Sequence, residues 1–421
     1  MTSTICLFED IYHPNLLPLV YFRPTFNLRC GILSLKEKVQ LAYPDAEVTL
    51  HCRTYMADYM RLRNPGHRVN ELQTKECLFI NGRAVVDAAF AKAIPAAGGD
   101  ALFVKDDVVV AARVSGAKLK NLRAHLNGIF SISDFDGLPV HPVQATLISY
   151  PWELIKHNGG QLRSDFAALR KGKKAAVASR KFPGVHILNP KQVFIGEGAR
   201  IKPGVVIDAE NGPVYIGKNV QVMPFSTIIG PAYIGDGTVV KVGAKIYPDC
   251  SIGPVCKVGG ELESTIMHSY SNKQHDGFLG HSYLGAWVNC GAGTVTSDLK
   301  NNYSSVKVYV NGEPVDSGMQ FVGVTIGDHS KTAINSTFNT GTVIGVSSNV
   351  FGTGFPPKYV PSFSWGAAGE TFTTYNIEKA LSVASKVMVR RNIDLTEPEE
   401  KLFRKIFDLT GDERRKRGMP L

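Results

Sequence analysis

The chain has 421 residues, 44% of them hydrophobic and 20% charged, with a net charge of +10. That length holds two or three domains with cores of their own, and the composition excludes a disordered or fibrous protein. The basic balance favours anionic partners such as phosphorylated metabolites and nucleotides, while no apolar run is long enough to span a bilayer.

In chain order, short apolar runs come first: "ICLF" from Ile5, "VTLHC" from Val48, "CLFING" from Cys77 and "VVVAAR" from Val108. They alternate with helical patterns such as "LSLKEKVQLAY" from Leu33, an order that predicts an α/β domain with a largely parallel, Rossmann-like sheet over residues 1–168. "YPWELIKHNGGQLRSDF", with Trp152, Glu153 and Asn158, reads as the helix that closes this domain. The basic stretch from Leu169 to Lys181 predicts a linker helix or a flexible connection within residues 169–184.

From Ile195 the pattern changes. Aliphatic residues recur every sixth position: Ile195, Ile201 and Ile207, then Ile216, Val222, Ile228, Ile234, Val240, Ile246, Ile252 and Val258. A shifted series gives Phe278, Leu284 and Cys290, and a last one Ile326, Thr332, Phe338, Ile344 and Val350. A period of six is neither helical nor simple alternation; it marks a parallel β-helix in which each hexapeptide supplies one inward side chain and one corner. We expect that prism over residues 185–360 and a helical C-terminal cap over 361–421. "KVYVNGEPVD" predicts a hairpin turning at Asn311-Gly312 and protruding from the ladder. "FGTGFPPKYVPSFSWG", with Gly352, is read as packing for the last coil or, on the family resemblance given below, as a channel for an acyl donor.

One stretch inside the ladder carries groups that titrate: "SNKQHDGFLGHSYLGAWVNCGAGT", Ser271 to Thr294. An α/β domain followed by a hexapeptide β-helix resembles the family of bifunctional N-acetylglucosamine-1-phosphate uridyltransferase/glucosamine-1-phosphate acetyltransferases. This chain resembles a divergent branch of it, described as sugar nucleotidyltransferases. Laying Asn289-Cys290-Gly291-Ala292-Gly293-Thr294 on the family's Asn-Ile-Gly-Ala-Gly-Thr places His275 at the catalytic histidine and Phe278 at a substrate-contacting tyrosine. His281 then falls where the family has aspartate, and Lys273 lies two residues before His275.

What the resemblance implies is a left-handed β-helix, a homotrimer with a shared site, acetyl-CoA as acyl donor and phosphorylated sugar and nucleotide substrates. Acetyl transfer to an amine needs a base near neutral pH, and imidazole suits it. His275 takes that role by resemblance, with His281 as rival. Asn289 would bond the acceptor, Ala292, Gly293 and Gly352 would approach the acyl donor, and Lys273 would meet a phosphate. Asp298, Asn302 and Tyr303 stand near the family's Asn-Tyr pair. A loop histidine is equally read as a solvated side chain, and Cys290 as a small core residue.

The first domain departs from the family. Its first strand runs on without a Gly-rich phosphate loop, and Arg83 in "LFINGRAVVD" holds the position of a Mg²⁺-binding aspartate, so Mg²⁺ remains only a possibility there. Arg23, Arg29, Asn81 and Arg83 are the candidate phosphate and nucleotide contacts, with structural ion pairing the alternative for the arginines. Seven scattered cysteines without a C-x-x-C pair, and Glu9, Asp10 and His13 near the start, lead us to expect reduced thiols, no secretory signal and a cytoplasmic protein. With no aromatic-and-arginine motif beside the charge, nucleic acid is not an expected partner. Neither is a membrane.

Overall fold

A computed structural model of the chain describes residues 3–171 and 182–419. Most of the predicted linker, 172–181, lies outside the described residues. The first domain contains β1 (Thr4–Phe8), α1 (Leu35–Ala42), β2 (Glu47–Leu50), α2 (Ala57–Arg63), β3 (Glu76–Asn81) and α3 (Ala88–Ala93). It continues with β4 (Ala101–Lys105), β5 (Val108–Ser115), α4 (Gly116–Ala124), β6 (Val140–Pro142) and α5 (Pro151–Arg170). The sheet order is β2-β1-β3-β5-β4-β6, with β1 parallel to β2 and β3 and β5 antiparallel to both its neighbours. β1 reads as an unbroken apolar run because both its faces are covered. Ile5 and Leu7 enter one core, and Cys6 and Phe8 join Phe79, Phe130 and Phe135 in the other.

The hexapeptide region winds into a three-faced parallel β-helix. The first face runs from the strand His186–Leu188 to Phe278–Gly280, the second from Val193–Ile195 to Tyr359–Val360, and the third begins with Arg200–Ile201. On the first face Ile207, Ile228, Ile246, Leu262 and Leu279 stack inward, one per coil. Each such burial contributes about 1.5–3 kcal/mol before entropy is counted. The predicted phase fails at one place. Leu279, not Phe278, is the inward residue, because coils after Val258 shorten and Leu262, Met267 and Lys273 take the inward positions.

The excursion at residues 299–322 contains the predicted hairpin, Lys307–Val310 paired antiparallel with Glu313–Asp316. Asn311 and Gly312 both have positive φ, 52° and 87°, as a two-residue turn of this hand requires. Its apolar side packs on Trp152 of α5.

The first domain docks along the second face. Asn158 of α5 donates Nδ2 to the Asp249 carbonyl at 2.7 Å and accepts from Ser251 Oγ at 3.0 Å and from the Gly31 amide at 2.7 Å. Gly31 has φ +92°, and a Cβ there would overlap the Asp165 carboxylate. Farther along the prism, Arg23 forms a buried two-pronged ion pair with Asp328.

Helices α6 (Ile377–Val389), α7 (Glu397–Leu409) and α8 (Gly411–Lys416) follow the prism. They are the expected short C-terminal helices, and Phe407 and Arg414 pack on Phe363 and Ser362 of the last coils. Ala380, Leu381, Leu402, Phe403 and Ile406 share a core with Phe22 and Met60 of the first domain, so the helices brace the flank. Met419 joins the prism core beside Val360 and Phe372, while Val346 and Phe363 of the last coils join the core of the helices.

Candidate active site at a corner of the prism

Where the chain passes from the first to the second face, the corner after the strand Phe278–Gly280 is His281. Its backbone sits in the left-handed region, φ +43°, sparsely used by non-glycine residues. The next coil returns Asp298 beside it. Nδ1 of His281 lies 2.8 Å from Oδ2 of Asp298, and both side chains are half-buried. Gly280 makes this contact possible, since a Cβ there would overlap the Asp298 carboxylate. The Phe321 ring stacks on the imidazole at 5.1 Å, and the bridge between Leu299 and Phe321 closes the excursion behind it. Asp249 stands on the same corner two coils earlier; burial first, against Arg163 and His281, holds its carboxyl above the usual carboxylate value. An aspartate on Nδ1 fixes the tautomer and leaves Nε2 as the proton acceptor.

The other candidates do not gather here. His275 occupies a different corner, between the third and first faces, where it is exposed and its ring has no hydrogen-bond partner among the described residues. Lys273 points inward at 1% exposure, and its Nζ donates to the carbonyls of His275 at 2.5 Å and Asp276 at 3.1 Å. Its expected role at a phosphate is therefore replaced by a structural one: the ammonium closes its own loop. Asn289, on the third face, accepts from Asn272 at 3.2 Å, and Asn272 accepts in turn from Arg391. Ala292 and Gly293 lie on the His275 corner, with Gly352 farther along the prism. Phe278 faces outward, its ring against Gly280 near Asp298. Asn302 and Tyr303 are exposed on the excursion, and Asn302 Oδ1 accepts from Ser304. Cys290 is buried among aliphatic residues, and burial pushes its thiol up to about 12, the state of an inert core residue. All seven cysteines are buried and free.

Phe321 was missed by sequence reading. It lies far down the chain from His281, with an excursion between them, and no local spacing signals their contact.

In the first domain the four candidates divide. Asn81 and Arg83 stand at the end of β3, where Arg83 donates Nε and Nη2 to the two oxygens of Asp10 at 2.9 and 2.5 Å, and Nη1 to the Ile148 carbonyl. Asn81 donates to Asp10 and to the Val109 carbonyl. Beside them Arg53 pairs with Glu9 at the end of β1. A guanidinium thus fills the place where a divalent cation would need the Asp10 carboxylate, and these residues do not fit Mg²⁺. Among the described residues no cluster of three His, Cys, Asp or Glu offers another metal site. Arg23 and Arg29 lie elsewhere, against the prism, Arg29 with its guanidinium 5.2 Å from the Tyr233 ring centroid.

Residues 5–174 match the family described as sugar nucleotidyl transferase, and residues 213–247 match the bacterial transferase hexapeptide repeat. The first domain is thus similar to sugar nucleotidyl transferases, and part of the prism to bacterial transferases with hexapeptide repeats. Among relatives, the bifunctional protein GlmU of Acaryochloris marina is 33% identical over 158 residues, covering 37% of this chain and 30% of that protein. GlmU of Geotalea uraniireducens is 32% identical over 181 residues, covering 37% and 38%. The chain spans about a third of the length of these relatives. A crystal structure of a UDP-N-acetylglucosamine acyltransferase aligns over 59% of this chain and 85% of its own, at 16% identity and a TM-score of 0.26. Among the described residues no helix is long and apolar enough to cross a membrane.

Proposed function

We propose that the prism transfers an acetyl group from acetyl-CoA to the amine of an amino-sugar phosphate, with His281 as general base and Asp298 as the residue that orients it. The His281–Asp298 pair carries this reading: a half-buried imidazole with one nitrogen bound and the other left for the substrate. The amine nitrogen attacks the thioester carbonyl while Nε2 takes its proton; the C–N bond forms, the C–S bond breaks, and the proton passes to the leaving thiolate. In this reading a His281→Ala variant loses at least roughly a hundredfold in turnover, whereas undiminished turnover in that variant overturns it.

A homotrimer completes the site. The His275 corner carries Val242, then Gly260 one coil on, then His275, Ala292 and Ile334 in the next three coils, and Val242 and Ile334 are 60% and 68% exposed. The first face lies between this corner and the His281 corner. A ring closed about that face brings the Ala292 corner of one protomer against the His281 corner of the next, a heterologous contact of the kind that forms closed cyclic assemblies. Backbone N–H groups at Ala292 and Gly293 would then face the developing oxyanion. The same ring would cover His275, which makes it the second candidate for the base. His275→Ala separates the two.

For the first domain, the match over residues 5–174 favours sugar-nucleotide chemistry. No step is assigned through Mg²⁺, because Arg83 occupies Asp10. Mass spectrometry of products from acetyl-CoA, glucosamine 1-phosphate and a nucleoside triphosphate, added separately and together, tests both domains at once.

A further inference from the structure

A cavity of about 310 Å³ lies where the first domain, the second face of the prism and the C-terminal helices meet. It is distinct from the strand ends that hold Arg83 and from the His281 corner. Four cations line it, Arg23, Arg29, Lys36 and Arg63, against three acids, Glu37, Asp328 and Glu399. Arg23 is consumed by Asp328, and Arg63 by Glu399 at 3.2 Å. Glu37 is held by the Ser34 amide at 2.6 Å in the capping box that starts α1.

Glu37 also faces Arg29 and Lys36, so the lining carries one net positive charge, shared between these two cations. Among the described residues, Lys36 Nζ donates only to the amide oxygen of Asn64, at 2.7 Å. Arg29, 8% exposed, uses Nη1 on the Ile32 carbonyl, while its Nε has no partner among the described residues. Across the cavity His329, 3% exposed, has an Nδ1 without a partner among the described residues. Two buried polar nitrogens left unsatisfied in one cavity cost stability unless something bonds them. Asn27, Ser269 and Trp287 add amide, hydroxyl and aromatic groups to the wall.

We propose that this cavity binds a phosphate monoester of a sugar or nucleoside, its phosphate on Arg29 and Lys36 and its polar body against Asn27 and Ser269. The volume is at the small end of ligand pockets, which suits a monosaccharide phosphate or a nucleoside monophosphate rather than a dinucleotide. Because the walls come from all three parts of the chain, the bound ester also ties them together.

Calorimetry on the full chain tests this, with glucose 1-phosphate, UMP and inorganic phosphate as separate titrants. The expected result is saturable one-to-one binding of at least one ester, tighter than inorganic phosphate. Lys36→Gln weakens it roughly tenfold or more, and Asn64→Asp, which places a carboxylate beside Lys36, does the same. Absence of saturation at millimolar ester overturns the proposal, as does equal affinity in wild type and in folded Lys36→Gln, or equal affinity for inorganic phosphate. The His281→Ala variant retains the binding, so failure here and failure of the acetyl-transfer reading are distinguishable.

Discussion

His281 and Asp298, seventeen positions apart, meet at 2.8 Å because one full coil of the prism separates them. In the proposed acetyl transfer the carboxylate acts through the ring it holds. His281→Ala is expected to lower kcat for acetyl transfer by roughly 10²–10⁴-fold. Asp298→Asn should lower it by at least roughly tenfold, with an altered pH profile, since an amide no longer selects the tautomer. His275→Ala should leave kcat within about threefold of wild type. Steady-state kinetics at several pH values checks all three.

Acid should loosen the junction between the domains. Burial, reinforced by Lys331 and Arg23, holds the His329 imidazole well below its ordinary pKa, and burial with Arg23 and Arg29 does the same to His268. The unfolded chain binds these protons below about pH 6.5 while the folded one does not, so stability falls as pH drops through that value. Each group contributes a slope of up to about 1.4 kcal/mol per pH unit. Urea melts between pH 7.5 and 5 should show a shallower decline for His329→Asn, whose side chain tolerates the φ of +61° at this position.

The pair at the end of β3 makes a separate prediction. Arg83 is 1% exposed and bonded to both oxygens of Asp10, so Arg83→Met strands a buried carboxylate. Chemical denaturation should show a loss of about 3–5 kcal/mol. Millimolar Mg²⁺ should leave the melting temperature of the wild-type protein unchanged, because no carboxylate there is open to it.

The exposed corner can be tested by charge. If Val242 and Ile334 close a ring of protomers, Val242→Glu with Ile334→Glu places like charges in the contact and should release monomers. Sedimentation velocity measures the outcome, and the monomer should lose acetyl transfer while keeping its circular dichroism spectrum.

Much of the fold was legible because a six-residue period has few structural solutions. Ile216, Ile234 and Ile252 stack on the second face as the period requires. The site was less so. Motif alignment leads to His275, but the pairing of His281 with Asp298 depends on which corner each occupies, and the shortened coils after Val258 shift that register. Lys273 misled for the same reason: a charged residue in an apolar ladder looks functional until its amine is seen on two loop carbonyls. That the C-terminal helices also meet the first domain was not readable. Helical periodicity gives an apolar stripe but not the surface that stripe meets.

Solenoids ordinarily tolerate gain or loss of a repeat. Here the Asn158 contact with Ser251 and the Arg23 contact with Asp328 grip the prism at two fixed heights from one docked domain. Adding a coil between them would displace one grip by a strand spacing, about 4.8 Å, farther than a hydrogen bond can stretch. The first domain therefore acts as a ruler that sets how many coils this stretch of the prism holds.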